Sequence, residues 1–270
     1  MRDFSNCTAL VTGGASGIGR CLALALAREG ADIALADLDA GGLERVRAEV
    51  ESVGRRASTH CLDVTDREAV HALAEVVRPR VLVNCAGIAI MALAENTSPE
   101  QWDRILAVNL RAPINVCAEF LPSLKERGGH IINVASVDGL LALGGSSAYA
   151  TTKFGLVGYS EAIGIELSGH GIGVTAVCPW FTWTPMVDSI SIQGYERGKL
   201  DRLLRAAKPV LFTTPEKLAA ATIKAVKRNK PLLAHTFLAK FMYLVKRLSP
   251  RLFRDLFGKP ICRLMKIMSE

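Results

Sequence analysis

Short apolar runs alternate with longer segments in which apolar residues recur at helical spacing, over most of the first two thirds of the chain. The runs have the length of strands, and the segments between them have the repeat of helices packed on one face. Strands are predicted at Ala9–Val11, Asp32–Ala36, Ala57–Cys61, Val81–Asn84, His130–Val134 and Gly173–Cys178. Helices are predicted at Gly19–Glu29, Ala40–Val53, Arg67–Val77, Gln101–Leu124 and Ala148–Ser168. Repeated strand–helix units with short loops predict an α/β fold, a doubly wound parallel sheet covered by helices on both faces.

Length and composition fit a single domain with a tail. The chain has 270 residues, 50% of them hydrophobic, so residues 1–230 suffice for one large core. Residues 231–270 change character and are predicted to form a basic amphipathic helical extension. Because Cys7–Val11 already has the pattern of a buried strand, no secretory signal is predicted. No apolar run has the length of a membrane span.

The turn between the first predicted strand and helix, Thr12–Gly19, is rich in glycine. Glycines let the backbone turn tightly and approach a pyrophosphate, and the following helix N-terminus offers free N–H groups to that anion. This strand–turn–helix context favours a Rossmann-type dinucleotide site over an ordinary connection. The residues predicted to bind the cofactor there are Gly13, Ser16, Gly17, Ile18 and Gly19.

Two acidic residues at strand ends extend the predicted cofactor site. Asp37 ends the second strand, where a carboxylate reaches the adenosine ribose hydroxyls and repels a 2′-phosphate. Leu38 follows it and no arginine comes directly after, so NAD is predicted in preference to NADP; the alternative is a solvated loop aspartate. Asp63, followed by Val64, either accepts a hydrogen bond from the adenine or caps the helix that begins near Thr65.

Tyr149 and Lys153 lie four residues apart in a predicted helix, so their side chains share one face. A free phenol, with a pKa of ~10, is a poor base at neutral pH, but a nearby positive charge favours the phenolate. Ser136 adds an upstream hydroxyl that can orient a substrate oxygen. The spacing alone is weak, because a surface tyrosine beside a solvated lysine gives the same pattern. Together the three groups are suited to moving a proton on or off an alcohol.

From Thr8 to Met186 the chain resembles the short-chain dehydrogenase/reductase family in the order and spacing of six motifs. The matching positions are Thr12–Gly19, Asp63, Asn84–Cys85–Ala86–Gly87, Asn109, Ser136, and Tyr149 with Lys153. The resemblance implies an NAD(P)-dependent oxidoreductase that acts on CH–OH groups. It also implies a catalytic tetrad, which consists of Asn109, Ser136, Tyr149 and Lys153.

The resemblance assigns a role to each residue of this tetrad. Tyr149 is expected to be the general acid/base, Lys153 to lower its pKa and hold the nicotinamide ribose, and Ser136 to bind the substrate oxygen. Asn109 is expected to anchor a water near Lys153; the alternative is a polar residue that bends its helix. The resemblance further assigns cofactor contacts to Asn84, Ala86, Gly87, Pro179, Thr182 and Thr184.

Two positions depart from the family pattern. Cys85 stands where the family has a second asparagine, a mild change at a strand end. Trp180 replaces the glycine that usually follows the proline, which makes Trp180–Thr184 unusually aromatic beside the expected nicotinamide. This replacement either narrows the pocket or builds an apolar wall for the substrate.

A hydrophobic substrate is predicted from the residues expected around the nicotinamide. The predicted substrate contacts are Ser136, Leu143, Tyr149, Trp180, Trp183 and Met186, with Val137, Leu140 and Leu141 in the same wall and the stretch 186–212 closing the pocket. An apolar wall favours a steroid-like, retinoid-like or long-chain secondary alcohol or its ketone. The alternative is that these residues merely pack the fold.

Charge is concentrated at the C-terminus. From Lys217 to Glu270 there are thirteen Lys/Arg and two acids, a net charge of +11; the whole chain carries +7, so residues 1–216 carry −4. Basic residues interleave with apolar ones in three segments, which begin near Phe237, Leu252 and Ile261. Such helices either lie on a membrane surface or pack on the enzyme or a partner subunit. Nucleic acid is not predicted, because no stacking platform accompanies the charge.

The remaining composition narrows the cellular setting. The seven cysteines contain no C-x-x-C pair and the five histidines are dispersed, so free thiols in a reducing, cytoplasmic compartment and no metal site are predicted. By analogy with the family, a homodimer or homotetramer is expected. The function of another class that stays open is a non-catalytic, dinucleotide-sensing scaffold that docks on a membrane or partner through its tail.

Overall fold

A computed structural model describes residues 1, 3–188, 191–192, 198 and 212–260 of the protein. Its centre is a sheet to which these residues contribute seven strands, all parallel. The strands are β1 (Thr8–Thr12), β2 (Asp32–Asp37), β3 (Ala57–Cys61), β4 (Val81–Asn84), β6 (Gly129–Val134), β7 (Ile172–Cys178) and β9 (Leu232–Ala234). A second, two-stranded sheet pairs β5 (Ile90–Met91) with β8 (Ser191–Ile192).

The strand order β3-β2-β1-β4-β6-β7-β9 shows that the chain builds outward from β1 in two directions. Val11 on β1 pairs with Leu35 of β2 on one side and with Val83 of β4 on the other. The connections leaving β1 and β4 therefore diverge and open a crevice at the carboxyl ends of these two strands, where doubly wound proteins bind ligands. The predicted doubly wound α/β fold is confirmed.

Helices cover both faces of the sheet. In chain order they are α1 (Gly17–Arg28), α2 (Ala40–Ser52), α3 (Arg67–Val76), α4 (Pro99–Leu106), α5 (Ala112–Arg127), α6 (Asp138–Leu141), α7 (Ser147–Glu166), α8 (Pro185–Asp188), α9 (Pro215–Lys227), α10 (Phe237–Leu248) and α11 (Pro250–Phe253). Leu22 and Leu26 of α1 pack with Leu218 of α9 on one face. Phe120 of α5 and Ile163 of α7 pack on the other face.

The single long helix predicted at Gln101–Leu124 is divided in the structure. Helix α4 begins after Ser98, which forms a capping box with Gln101, and a π-helical turn at Ala107–Arg111 separates α4 from α5. A π-helical turn inserts one extra residue into the helical repeat and often occurs at functional sites. The inserted turn carries Asn109.

The described elements that the apolar pattern did not predict include strands β5, β8 and β9 and helices α6, α8 and α9. Strand β9 spans three residues and pairs with β7, so Leu232–Ala234 belongs to the main sheet. The boundary placed between residues 230 and 231 stays a prediction. Downstream of β9, Thr236 caps α10 by accepting a hydrogen bond from the Ala239 N–H group, and a π-helical turn at Arg254–Gly258 follows α11.

The C-terminal helices α10 and α11 share a core with the rest of the domain. Ala239, Met242 and Phe253 are buried in one cluster with Leu140 of α6 and Leu156 of α7. For the inner side of the first two predicted tail segments, this contact favours packing on the rest of the domain over contact with a membrane. The third segment, at 261–268, lies outside the described residues. No helix in the described part of the chain combines the length and the hydropathy of a bilayer span.

We expect Met242→Ala to lower the free energy of unfolding by about 2–5 kcal/mol, because it removes buried side-chain volume from this cluster. The matched control is Leu244→Ala on the same helix, whose side chain is exposed and whose loss should change stability by no more than about 0.5 kcal/mol. Urea unfolding followed by circular dichroism measures both. Equal stability of the two variants would contradict the packing of α10 into the core.

Candidate active site

The glycine-rich turn after β1 lies directly against the segment that follows β4. Gly13 has a φ of +67°, and a Cβ built on it would approach the Ala86 backbone nitrogen to 2.7 Å. The Thr12 hydroxyl accepts hydrogen bonds from the N–H groups of Cys85 and Ala86 at 3.1 and 3.3 Å. Residue 13 therefore has to lack a side chain if the two loops are to meet over the crevice.

The first turn of α1 faces the same crevice. Ser16 is the N-cap of α1, yet its side chain makes no capping hydrogen bond, so it does not occupy the N–H groups there. Gly17 has a φ of +53° and contacts Thr184, whose Cβ would lie 3.3 Å from an added Cβ. Gly19 packs on the Gly13 carbonyl, and Ile18 packs on the core. The turn therefore has free N–H groups suited to an anion, and its predicted cofactor contacts stay predictions.

The carboxylate of Asp37 reaches back to this turn. Its Oδ2 accepts a hydrogen bond from the Ala15 N–H group at 3.1 Å, and its Oδ1 accepts one from the Asp39 N–H group at 3.2 Å. The structure therefore places Asp37 at the edge of the predicted site, next to the exposed side chain of Leu38. A negative charge at this edge is what the predicted discrimination against a 2′-phosphate requires.

Asp63 does not cap helix α3, the second role considered for it, and bonds locally to Thr65 instead. Its Oδ1 accepts hydrogen bonds from the backbone N–H and the hydroxyl of Thr65, both at 2.8 Å. The N-cap of α3 is Asp66, which was not predicted as a site residue. Val64 is buried beside this turn. The predicted adenine contact of Asp63 stays a prediction.

Asn84, the last residue of β4, and Asn133, the last but one of β6, form a buried polar network. The Asn84 amide donates to the Asn133 carbonyl oxygen at 2.8 Å and to the Cys117 sulfur at 3.2 Å. Asn133 in turn donates to the Ser160 hydroxyl at 2.8 Å. The Asn84 side chain thus ties β4 to β6 and to α5 inside the core. Its predicted cofactor contact is not among these interactions and stays a prediction.

Asn109 is almost fully buried, and the π-helical turn directs its amide towards the loop after β4. Its Oδ1 accepts a hydrogen bond from the Ile88 N–H group, and its Nδ2 donates to the Ile88 carbonyl, each at 2.9 Å. Nδ2 also donates to the Thr152 hydroxyl at 3.3 Å. Asn109 therefore holds the Ile88 backbone in place, next to Gly87. A Cβ built on Gly87 would lie 3.7 Å from the Lys153 ammonium nitrogen. The family's water-anchoring role for Asn109 stays a prediction.

Helix α7 brings Tyr149 and Lys153 together at the carboxyl end of β6. The buried Lys153 ammonium donates to the Val134 carbonyl at 3.0 Å and lies 5.5 Å from the centre of the Tyr149 ring. Burial lowers the pKa of Lys153 to about 8. Burial also raises the pKa of the Cys85 thiol, which neighbours Lys153, to about 12. Cys85, which stands where the family has asparagine, is therefore neutral beside the ammonium.

Burial raises the pKa of Tyr149, and the negative charge of Asp138 raises it further, whereas a side-chain hydrogen bond with Ser136 lowers it. Ser136 also accepts a hydrogen bond from the Asp138 N–H group at 3.1 Å through its hydroxyl oxygen. The structure thus brings Ser136, Tyr149 and Lys153 together, and the catalytic roles assigned to them stay predictions. The lowering of the Tyr149 pKa by Lys153 stays a prediction.

Asp138 is a site residue that the sequence analysis missed. Its carboxylate accepts hydrogen bonds from the Leu143 N–H group at 3.4 Å and the Ser146 hydroxyl at 3.2 Å. It thereby holds the loop between α6 and α7, which includes the predicted substrate contact Leu143. Burial raises the pKa of Asp138 to about 6. A lone acid two residues after Ser136 gave no such signal, because only the folded chain buries it.

The aromatic segment after β7 divides between the core and the crevice. Trp180, expected to narrow or wall the pocket, is only 7% exposed and packs in the cluster that contains Leu140 and Met242. Pro179 accepts a hydrogen bond from the Val137 N–H group through its carbonyl, and the Thr182 hydroxyl donates to the Trp180 carbonyl. Thr184 is buried against Gly17, and its predicted cofactor contact stays a prediction.

The predicted apolar substrate wall is only partly present. Val137, Leu140 and Leu141 are buried in the core, so for these three the alternative of fold packing is correct. Leu143, Trp183 and Met186 are partly exposed, and most of the stretch 186–212 lies outside the described residues. Ile88 and Trp102, which the sequence did not predict as site residues, pack with Tyr149 against a small buried cluster of Ile90, Ala92, Ile105 and Ala148.

A doubly wound sheet with a glycine-rich turn at its switch point and a buried lysine beside a tyrosine is the arrangement of a dinucleotide-binding α/β enzyme. The family model for short chain dehydrogenases matches residues 7–193, which are more than half of the chain. The protein belongs to the short-chain dehydrogenase family, and the resemblance inferred from the sequence is confirmed.

Two curated relatives show how far the similarity extends. The chain is 37% identical over 269 residues to the probable oxidoreductase EphD of Mycobacterium tuberculosis strain H37Rv, an alignment that covers 93% of this chain and 45% of the relative. It therefore spans about half the length of that protein. It is 34% identical over 226 residues to the 3-oxoacyl-[acyl-carrier-protein] reductase FabG of Thermotoga maritima, which covers 79% of this chain and 92% of FabG.

The fold is also that of solved structures. The 3-ketoacyl-(acyl-carrier-protein) reductase of Brucella melitensis, crystallised with NADH, superposes with a TM-score of 0.75 at 28% identity. The superposition covers 85% of this chain and 96% of the reductase. Single-domain architecture and sheet topology are thus shared with this reductase.

Replacing Asp138 by Asn should change how stability depends on pH. Because burial raises the pKa of Asp138 from 3.8 to about 6, the folded state holds this proton more tightly than the unfolded chain. That contribution is fully present below about pH 4 and is lost as the pH rises through 6. Relative to Asp138→Asn, the wild type should therefore lose up to about 3 kcal/mol of unfolding free energy between pH 4 and 7.

Urea unfolding at a series of pH values measures this difference. Asp103→Asn, which changes an exposed acid on α4, is the matched control and should run parallel to the wild type. If the stability difference between wild type and Asp138→Asn does not vary with pH, the burial of the Asp138 carboxyl is contradicted.

Proposed function

We propose that the protein is a nicotinamide-dinucleotide-dependent oxidoreductase that interconverts an alcohol and its ketone. The observation that carries this proposal is the buried Lys153 ammonium, 5.5 Å from the Tyr149 ring and directly behind Gly87 at the crevice between β1 and β4. Family membership supports it, as do the names of relatives such as the oxoacyl reductase FabG.

The residues around the crevice fit a dinucleotide. The close approach of Gly13 to Ala86 leaves backbone instead of side chain lining the turn, and the α1 N-terminus adds N–H groups suited to a pyrophosphate. At the far end, Thr184 lies against Gly17, and Lys153 adds a cation that can bind ribose hydroxyls. When bound, the nicotinamide supplies the hydride acceptor or donor.

The proton chemistry belongs to the side chains of this chain. In the oxidation direction the Tyr149 phenolate takes the proton from the substrate hydroxyl, and in reduction the phenol returns it. Ser136 donates a hydrogen bond to the substrate oxygen and stabilises its developing charge. Lys153, held by the Val134 carbonyl, provides positive charge that favours the phenolate. Asn109 acts through backbone, since it fixes Ile88 beside Gly87.

NAD is proposed in preference to NADP. The Asp37 carboxylate lies at the outer edge of the glycine-rich turn, bound to the Ala15 N–H group, and Leu38 next to it carries no charge. A carboxylate at this position accepts hydrogen bonds from ribose hydroxyls and repels a 2′-phosphate. The Brucella reductase crystallised with NADH supports use of a nicotinamide dinucleotide.

A hydrophobic secondary alcohol or ketone is proposed as the substrate. With Val137, Leu140 and Leu141 in the core, the support comes from Ile88 and Trp102, which pack against the same small apolar cluster as Tyr149. Leu143 and Met186 are partly exposed and remain proposed contacts.

A homodimer or homotetramer in the cytoplasm is proposed by analogy with the family.

Tyr149→Phe should lower kcat at least about 100-fold while leaving NADH affinity nearly unchanged, because it removes only the proton-transferring hydroxyl. The matched control is Tyr243→Phe on α10, which should retain activity. Turnover is measured by NADH absorbance with a panel of apolar secondary alcohols and ketones, and NADH binding by calorimetry. Near-normal turnover of Tyr149→Phe would refute the acid/base role. Tight NADH binding by the wild type without turnover of any compound would favour the scaffold function instead.

The pair Asp37→Asn and Leu38→Arg should raise the ratio of kcat/KM for NADP over NAD at least about tenfold, because it removes a charge that repels the 2′-phosphate and adds one that attracts it. Asparagine keeps an acceptor for the Ala15 N–H group, so the turn should stay intact. Leu38→Arg alone is the control, since it retains the repelling carboxylate. An unchanged ratio in the double variant would show that Asp37 does not read the ribose.

A further inference from the structure

Helix α10 carries apolar residues on two opposite faces. Ala239 and Met242 face inward and are buried against α6 and α7. The outward face carries an apolar stripe whose members are spaced four, three and four residues apart and so share one side of the helix. The members of this outer stripe and their exposed fractions are Phe237 (83%), Phe241 (48%), Leu244 (55%) and Leu248 (78%).

The outer stripe continues on the segment after α10, and cations border it. Leu252 and Leu256 are also exposed large apolar residues. The exposed cations of α10 and of the segment that follows it are Lys240, Arg247, Arg251, Arg254 and Lys259. The single acid between residues 237 and 260 is Asp255. Arg254 and Lys259 pair with Asp255, which leaves Lys240, Arg247 and Arg251 without an acidic partner in the described part of the chain.

We propose that the outer stripe and its flanking cations bind the surface of an anionic lipid membrane. Exposed Phe and Leu on one side of a helix with Lys and Arg beside them are suited to insertion at the headgroup boundary, with the cations on anionic headgroups. The buried face of α10 remains in the protein core. The contact is therefore peripheral: the helix lies flat on the lipid while it stays part of the folded domain.

Charge decides between a membrane and a second copy of this chain as the occupant. An isologous dimer through the outer stripe would bring the same surface of two copies together, so the basic surface that carries Lys240, Arg247 and Arg251 would meet the same basic surface of the other copy. Like charges at such an interface disfavour the pairing. An anionic surface complements them instead.

Docking through the outer stripe would also fix the orientation of the candidate active site. The Lys246 ammonium, on the inner side of α10, donates to the Leu140 carbonyl at 2.7 Å and lies 4.4 Å from the centre of the Phe154 ring. Leu140 belongs to α6, the helix that follows Ser136, and Phe154 follows Lys153 on α7. The lipid-facing helix thus holds the segment that carries the candidate catalytic residues.

The test is flotation of the purified full-length protein with vesicles of phosphatidylcholine containing phosphatidylglycerol, compared with phosphatidylcholine alone. The wild type should float with the anionic vesicles, less with the neutral ones, and less at high salt. Phe241→Ser with Leu248→Ser should reduce the bound fraction about tenfold or more, and so should Lys240→Glu with Arg247→Glu.

Matched controls remove equally exposed groups from other faces. Val76→Ser with Ile165→Ser removes two apolar side chains that are 71% and 78% exposed on α3 and α7, and it should bind like the wild type. Thermal unfolding verifies that each variant is folded. The proposal is overturned if the wild type does not bind anionic vesicles or if the control pair loses binding as strongly. Self-association that depends on the outer stripe, without vesicle binding, would identify a second copy as the occupant and also overturn it.

Discussion

The position of β1 between β2 and β4 is the constraint on which the rest of the molecule depends. Since the chain adds strands on both sides of β1, the connections that leave β1 and β4 run in opposite directions. The loops after these two strands therefore meet over an open crevice. Their contact requires glycine at residue 13, because a side chain there would collide with Ala86. Asp37 bonds to the glycine-rich turn at this meeting point, and Thr184 packs against Gly17 of the same turn.

Burial of charge is the second determinant of the candidate site. The ammonium of Lys153 is taken out of water and stabilised by the Val134 carbonyl, which the end of β6 holds rigidly in place. Burial and the charge of Asp138 raise the pKa of Tyr149, whereas Ser136 lowers it. Ionisation of the phenol is therefore disfavoured unless a positive charge or a further hydrogen-bond donor lowers its pKa. A pKa perturbed by burial together with a specific charged neighbour is a property of candidate functional sites.

Much of the sheet was predictable because parallel strands buried on both faces form continuous apolar runs, such as Val81–Asn84. The glycine-rich turn, Tyr149 and Lys153 were predictable because local geometry alone relates their spacing to their chemistry. Asp138 and Trp180 were not, since only tertiary contacts bury them, and apolar residues of a pocket and of a core look alike in a sequence. The π-helical turn at Asn109 escaped prediction because one inserted residue barely changes the helical repeat.

The central claim is that the crevice between β1 and β4 holds a dinucleotide whose nicotinamide lies at Tyr149. A crystal structure of the protein with NAD tests this most directly. We expect the pyrophosphate on the turn formed by residues 12–19 and the nicotinamide ring in contact with the Tyr149 hydroxyl, with Lys153 on the adjoining ribose. A dinucleotide bound elsewhere, or a Tyr149 hydroxyl turned away from it, would contradict the account.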